Sequence, residues 1–149
     1  MTWSSEVRAF LEAVRVGHLA TINADRSPHV VPVCYAFDGA LFFSVIDQKP
    51  KRVAPRSLRR VRNISQRPLV SLVVDRYAED WSRLGFVLVS GTAHMLWEGE
   101  QYRRALALLR EKYPQSRAMD LEDRPVICII ATRVTVWGRL IPSPLAGEG

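Results

Sequence analysis

Residues 29–46 read HVVPVCYAFDGALFFSVI, and this stretch decides the fold class. Two runs rich in β-branched and aromatic residues flank the pair Asp38-Gly39. An Asp-Gly pair in this position is a strong short-range signal for a β-hairpin, because both residues tolerate the backbone angles of a tight turn. The sequence therefore predicts strands over His29–Phe37 and Ala40–Ile46, joined by a turn at Asp38-Gly39.

Two prolines mark the first strand of this hairpin. Pro28 precedes it and Pro32 lies inside it. Proline cannot donate a backbone hydrogen bond, so in sheets it is confined to edges and bulges. We expect this strand to lie at a sheet edge or to carry a bulge near Pro32.

In the rest of the chain, the spacing of hydrophobic residues is more often that of a strand than that of a helix. Ser4 or Ser5 can cap a first helix that Gly17 would end, and a second amphipathic helix opens at Glu98 and Glu100 and closes before Pro114. About six strands in hairpin order favour a mostly antiparallel β-sheet or barrel with peripheral helices. The further strands are predicted at His18–Asn23, Leu69–Asp75, Leu84–Trp97 (bent at Gly91) and Val126–Trp137.

Length and composition indicate one globular domain. The chain has 149 residues, of which 48% are hydrophobic and 24% charged, which excludes intrinsic disorder, a collagen-like chain and a disulfide scaffold. The first residues lack the basic start and apolar stretch of a signal peptide. No apolar run approaches the roughly 18 residues that span a bilayer. We therefore expect a cytoplasmic protein.

Positive charge is concentrated in one segment. The formal net charge is +6, and eight of the 21 Lys and Arg residues lie between Lys49 and Arg67. No acidic residue occurs from Gln48 to Val74, so the other 13 basic residues share the rest of the chain with all 15 acidic ones. Outside this segment the protein is slightly acidic. The segment itself predicts an anionic partner.

Side chains that commonly carry chemistry are sparse. Cys34 and Cys128 lie in apolar runs and are predicted to be buried free thiols. His18, His29 and His94 are isolated, so no metal-ligand spacing is present. The nucleophile elbow, the P-loop and the dinucleotide-binding fingerprint are absent from the sequence. If the protein is an enzyme, a cofactor is expected to carry the reaction.

The basic segment predicts a short helix from Pro55 to about Gln66. Its cationic stripe would lie opposite Leu58, Val61 and Ser65, and lysines would precede its N-terminus, where free backbone N–H groups attract anions. Three interpretations are open: a solvated basic face, a nucleic-acid surface, and a site for a phosphate-bearing cofactor. Nucleic acid is disfavoured because residues 48–67 contain no aromatic side chain. The stripe consists of Arg56, Arg59, Arg60 and Asn63, and the lysines are Lys49 and Lys51.

Several segments, in order along residues 5–140, resemble the pyridoxamine 5'-phosphate oxidase-like split β-barrel superfamily. They are Gly17–Ile22, Ser27–Val33, Arg62–Leu72 and Val89–Ala93. Three others are most similar to its subgroup of probable coenzyme F420-dependent enzymes. These are Asp47–Lys51, Asp80-Trp81 and Val134–Gly138.

The resemblance implies a six-stranded antiparallel split β-barrel of the FMN-binding type that forms a homodimer. The domain would span residues 1–141, followed by a flexible tail at residues 142–149. Two flavin or deazaflavin sites would lie at the subunit interface, and no membrane or nucleic acid would be involved.

Carried over by matching position, the cofactor phosphate and tail would contact Lys51, Arg60 and Asn63, with Lys49 and Arg56 as helpers. The ring would lie against strand residues, and two tryptophans would border the site, unless they serve core or dimer packing. The strand residues are Pro32, Val33, Ser44 and Val45, and the tryptophans are Trp81 and Trp137.

The function implied is an oxidoreductase in which F420 transfers hydride to a small unsaturated or conjugated organic acceptor. Relative to the commoner pattern of the superfamily, residues 52–57 resemble a short insertion. Its extra arginines suit the anionic oligoglutamate tail of the deazaflavin, which favours this cofactor over FMN. The residues that pyridoxamine phosphate oxidases use for their own substrate are not evident. The alternatives are an FMN-binding oxidase or flavin reductase of the same fold, and a non-catalytic flavin or tetrapyrrole carrier.

Overall fold

The computed structural model describes residues 1–46, 58–118, 120–121 and 123–140. The predicted tail at residues 142–149 lies outside these ranges. The described helices are α1 (Ser5–Ala13), α2 (Arg59–Gln66) and α3 (Glu100–Lys112), with short 3-10 helices at Trp81–Arg83 and Pro114–Ala118. The strands are β1 (Val16–Ile22), β2 (Pro28–Cys34), β3 (Ala36–Phe37), β4 (Leu41–Val45), β5 (Leu69–Arg76), β6 (Gly85–Leu96) and β7 (Val126–Gly138).

The seven strands of the described ranges form one antiparallel sheet in the order β2-β1-β5-β6-β7-β4-β3. The sheet curls until its ends approach: the Ser44 Oγ on β4 donates a 2.8 Å hydrogen bond to the carbonyl of Cys34 at the end of β2. The predicted mostly β, antiparallel, split-barrel-like fold with peripheral helices is confirmed.

The prediction of six strands is wrong because Tyr35 interrupts the strand predicted over residues 29–37. The Tyr113 hydroxyl accepts a 2.9 Å hydrogen bond from the Tyr35 backbone N–H and lies 2.6 Å from the Tyr35 carbonyl. Both backbone groups of Tyr35 therefore bond to a side chain instead of a neighbouring strand. β2 pairs with β1 before this residue, and β3 pairs with β4 after it.

The hairpin and edge predictions are confirmed. The Asp38 carboxylate accepts hydrogen bonds from the backbone N–H of Ala40 and of Leu41, and Gly39 has a φ of 99°. β2, which holds the two prolines, stands at one end of the strand order with a continuous register against β1.

Two boundary expectations need correction. Ser4 caps α1 as predicted, but the helix ends at Ala13, and Gly17 lies inside β1 rather than closing the helix. Cys128 is buried as expected, whereas Cys34 is exposed, because its side chain falls on the outer face of edge strand β2. The two cysteines do not form a disulfide with each other.

The hydrophobic core has two parts. The larger fills the barrel and is closed by α1 and α2, with Phe10, Leu11, Val61 and Ile64 among its members. The smaller lies where α3 packs against β4 and β7, and it includes the buried Leu106. No helix of the described residues is long and apolar enough to cross a membrane.

Lys112 joins the end of α3 to the end of α1. Its Nζ donates hydrogen bonds to the carbonyls of Leu11 (3.2 Å) and Val14 (2.7 Å) and lies 4.0 Å from the centre of the Tyr35 ring. Burial, with a smaller contribution from Arg15, lowers the pKa of Lys112 to about 8.

Raising the pH from about 8 to 10 should therefore stabilise the wild type relative to Lys112→Met. The pKa of Lys112 is about 8 in the folded protein and 10.5 as its ordinary value, so in this window the unfolded state holds more protons. Under that condition the free energy of unfolding rises with pH. Urea denaturation of both proteins at several pH values gives the difference.

The comparison isolates Lys112 from other titrating groups. Burial raises the pKa of Cys128 to about 11 and also raises the pKa values of Tyr35 and Tyr113. These three groups destabilise the fold as the pH rises above about 9, but both proteins contain them. A difference that stays flat or falls across the window would contradict the assignment.

Candidate functional site

Helix α2 carries the described part of the basic segment. Val61 and Ile64 are buried in the larger core, whereas Arg59 and Arg62 are exposed and Arg60 is half-buried. One face of the helix thus packs and the other presents guanidinium groups, but Ser65, which was predicted on the packed side, is exposed. Lys49, Lys51 and Arg56, which were assigned to the same site, lie outside the described residues.

Asn63 lies on the buried side of α2 rather than on its cationic stripe. Only 5% of it is exposed, and its Nδ2 donates 3.0 Å hydrogen bonds to the Thr21 hydroxyl and to the Asn23 side-chain oxygen. The amide therefore ties α2 to the end of β1. We interpret Asn63 first as the residue that positions the helix.

Arg59 of α2 also contacts the turn that follows β1. The Arg59 Nη1 donates a 3.4 Å hydrogen bond to Asn23 Oδ1, so one oxygen binds both the helix amide and this guanidinium. Hydrogen bonds from Ser27 keep the pKa of Asp25 below its ordinary value, with a smaller contribution from Arg59. Cations of α2 and polar groups of the β1–β2 turn therefore share one end of the barrel.

Sequence reasoning missed Thr21 and Asn23 as positioning residues. They lie 42 and 40 positions before Asn63, and no local pattern links them to the helix. Only the pairing of the strands brings these side chains together.

The residues assigned to the cofactor ring lie where the two ends of the sheet meet. Pro32 is exposed and Val33 is buried near the end of β2. On β4, Ser44 is buried and Val45 is half-buried. The hydrogen bond from Ser44 to the Cys34 carbonyl holds these two strands together.

The two tryptophans are not core residues of this chain. Trp81 is 72% exposed at the start of a 3-10 helix, and Trp137 is 52% exposed near the end of β7. The Trp137 ring stacks on Phe86, with 5.7 Å between ring centres and 22° between planes. Trp137 therefore packs on one face only, and its remaining surface and most of Trp81 are open in one chain.

Several strands expose an apolar side chain on the outer face of the sheet. Val30, Leu69 and Ile130 are exposed there, and Leu69 and Ile130 both pair across β6 with Thr92. Cross-strand partners project from the same face. A cavity of about 180 Å³ also opens between the ends of β1 and β5. This combination of exposed apolar side chains makes the face a candidate interaction surface.

No group of three or more His, Cys, Asp or Glu side chains within residues 1–46, 58–118, 120–121 and 123–140 is arranged to hold a metal ion.

Comparison with known proteins identifies the family. The model of the pyridoxamine 5'-phosphate oxidase family matches residues 4–138. The chain belongs to this family. The resemblance drawn from the sequence motifs is thereby confirmed. No curated protein gives a match.

Similar solved structures share the fold at low sequence identity. A conserved hypothetical protein from Mycobacterium tuberculosis superposes with a TM-score of 0.75 at 24% identity, covering 93% of this chain and 86% of that one. A heme-binding protein from Mycobacterium smegmatis gives 0.72 at 21%, covering 93% and 56%. An F420 reductase gives 0.63 at 22%, covering 86% and 94%. These likenesses show the fold alone.

Proposed function

We propose that this protein is an oxidoreductase that binds coenzyme F420 and reduces a small unsaturated or conjugated organic acceptor. The observation that carries the proposal is the cationic face of α2, which Asn63 anchors at one end of a barrel of this family. The F420 reductase among the similar structures is consistent with it.

The donor set of α2 fits a phosphorylated, polyanionic cofactor. Arg59 is exposed, Arg60 is half-buried, and no acidic residue occurs between positions 48 and 74. Guanidinium groups bind phosphate and carboxylate oxygens through charge-assisted hydrogen bonds. We assign the phosphate and the oligoglutamate tail to Arg60 and Arg59, together with Lys49, Lys51 and Arg56. We retain Asn63 in the same site as the residue that orients the helix.

The ring would lie against Pro32, Val33, Ser44 and Val45. When bound, the deazaflavin supplies the hydride. The residues of the chain bind and orient it: the apolar side chains of Val33 and Val45 exclude water, and the Ser44–Cys34 hydrogen bond keeps β2 and β4 in contact. The proton that completes reduction of the acceptor would come from a nearby hydroxyl or a water molecule, so no acidic side chain is required.

We further propose that a second copy covers the outer face of the sheet. Val30, Leu69 and Ile130 expose apolar side chains together on this face, and the Phe86–Trp137 stack lies on it as well. Burying such surface stabilises an association by roughly 25 cal/mol per Å² before entropic costs. In a dimer built on this face, Trp137 or Trp81 would border the site of the partner. Light scattering of the purified protein should then give twice the mass of one chain.

Cofactor titration tests the proposal. We expect F420 to bind the purified protein more tightly than FMN, with a saturable change in ring fluorescence. Reduced F420 on the protein should then be oxidised in a single turnover by at least one acceptor of a panel of enones and quinones. Tight binding of FMN with none of F420 would contradict the proposal and favour the FMN oxidase or flavin reductase.

A tetrapyrrole carrier is the second candidate, because one similar structure is that of a heme-binding protein. Titration with hemin, followed by its Soret band, separates the two. Saturable hemin binding without F420 binding, and without any turnover, would favour the carrier.

A further inference from the structure

A cavity of about 520 Å³ lies where β6 leads into α3. Its volume is within the range of small-molecule pockets. It is lined by Trp97 and Glu98 from the connecting segment and by Arg103, Leu106 and Arg110 from the helix. None of these residues is among those assigned to F420.

The basic residues of α3 divide into two pairs. Arg104 forms a 3.1 Å ion pair with Asp38, and Lys112 donates to carbonyls of α1. The side chains of Arg103 and Arg110 make no hydrogen bond or ion pair with any described residue, and both line the cavity. Seven positions separate them, so they project from the same stripe two turns apart.

The other surfaces of the cavity are aromatic and apolar. Trp97 is partly exposed, and Leu106 is buried beneath. Tyr102 is a buried lining residue whose hydroxyl donates to the backbone carbonyls of Leu121 and Arg124. An aromatic surface beside guanidinium groups binds planar rings that carry negative charge, through stacking and charge-assisted hydrogen bonds.

This cavity differs from a second cavity in the net charge of its lining residues. Glu98 is the acidic lining residue, so two arginines leave an excess of one positive charge. A second cavity, of about 460 Å³, is lined by Glu12, Glu111, Arg15 and Lys112 and has no excess of either sign. Of these two cavities, the first has the net positive lining that suits an anion.

We propose that the cavity between Trp97 and α3 binds a planar aromatic anion. Its ring lies against Trp97 and Leu106, and its acid group lies between Arg103 and Arg110. The inference goes beyond the proposed oxidoreductase function and does not depend on it.

Titration with 2-naphthoate tests the site directly. The indole N–H cross-peak of Trp97, assigned by its loss in Trp97→Phe, should shift in a saturable way in a ¹H–¹⁵N spectrum. Arg103→Gln/Arg110→Gln should weaken binding at least tenfold, because both charge-assisted contacts are lost. Inorganic phosphate (charge without ring) and 2-naphthol (ring without carboxylate) should each bind at least tenfold more weakly than 2-naphthoate.

The matched control is Arg8→Gln/Arg62→Gln, which removes two exposed arginines from other helices and should leave the affinity unchanged. If the double substitution in α3 lowers the melting temperature, Arg103→Gln alone replaces it, with a severalfold loss expected. A Trp97 cross-peak that does not move, or equal affinities in the α3 and control variants, would overturn the proposal. Phosphate binding as tight as that of 2-naphthoate would overturn the aromatic part of it.

Discussion

Replacing Gly91 with alanine should lower the free energy of unfolding by about 3 kcal/mol. A Cβ atom at this position would lie 2.0 Å from the carbonyl oxygen and 2.9 Å from the carbonyl carbon of Ile130. Both atoms belong to the backbone of β7, so the clash is relieved only by separating β6 from β7. Urea denaturation followed by circular dichroism measures the loss.

Gly17→Ala is the matched control, because it adds the same methyl group to another buried strand glycine. The nearest atom to a Cβ there is the Leu72 Cδ1 at 2.9 Å, the end of a side chain rather than part of the backbone. We expect a cost of at most about 1 kcal/mol. Equal losses for the two variants would show that the contact with the β7 backbone does not set the cost.

The irregularity at Gly91 is a feature that the sequence could predict. Ser90 pairs with Arg133 and Gly91 with Ala131, so Thr132 is an extra residue on β7. Its hydroxyl donates a 3.1 Å hydrogen bond to the Ser90 carbonyl. A glycine inside a long strand pattern indicates such a bulge or a close backbone approach, and here it indicates both. The Asp38-Gly39 hairpin was predictable for the same reason: the signal is local.

Features that depend on distant partners were not predictable. The interruption at Tyr35 results from Tyr113, 78 positions later. Cys34 was predicted to be buried because its neighbours are apolar, but edge strand β2 leaves its outer face uncovered. The first contact comes from the residue that follows helix α3, and the exposure of Cys34 follows from the order of strands in the sheet.

In the candidate site too, local features were predictable from the sequence and contacts with distant residues were not. The cationic face of α2 is a local pattern of charge and helical period, and it was predicted. The orientation of Asn63 was not predicted. Its helical spacing from the arginines assigned it to the cationic stripe, but hydrogen bonds to Thr21 and Asn23 hold its side chain on the buried side. The tryptophans were predicted as site borders or packing residues, and neither Trp81 nor Trp137 is buried within one chain.

The second large effect is expected at the cofactor phosphate. Arg60→Ala and Lys51→Ala should each weaken F420 binding by about 1.5–3 kcal/mol, the usual size of a hydrogen bond to a charged group. This corresponds to a loss of affinity of roughly 10- to 150-fold. Fluorescence titration of each variant with F420 measures it, and thermal melts establish that the half-buried position 60 tolerates alanine.

Arg62→Ala is the control that separates a specific contact from the general charge of α2. Arg62 is an exposed arginine on the same helix, but it is not assigned to the phosphate site. Its loss removes one positive charge, whose screened effect on a nearby anion is small at physiological salt. We therefore expect a change of less than about threefold. If Arg60→Ala and Lys51→Ala behave like Arg62→Ala, the cationic face is merely solvated, and the assignment of the phosphate to α2 is wrong.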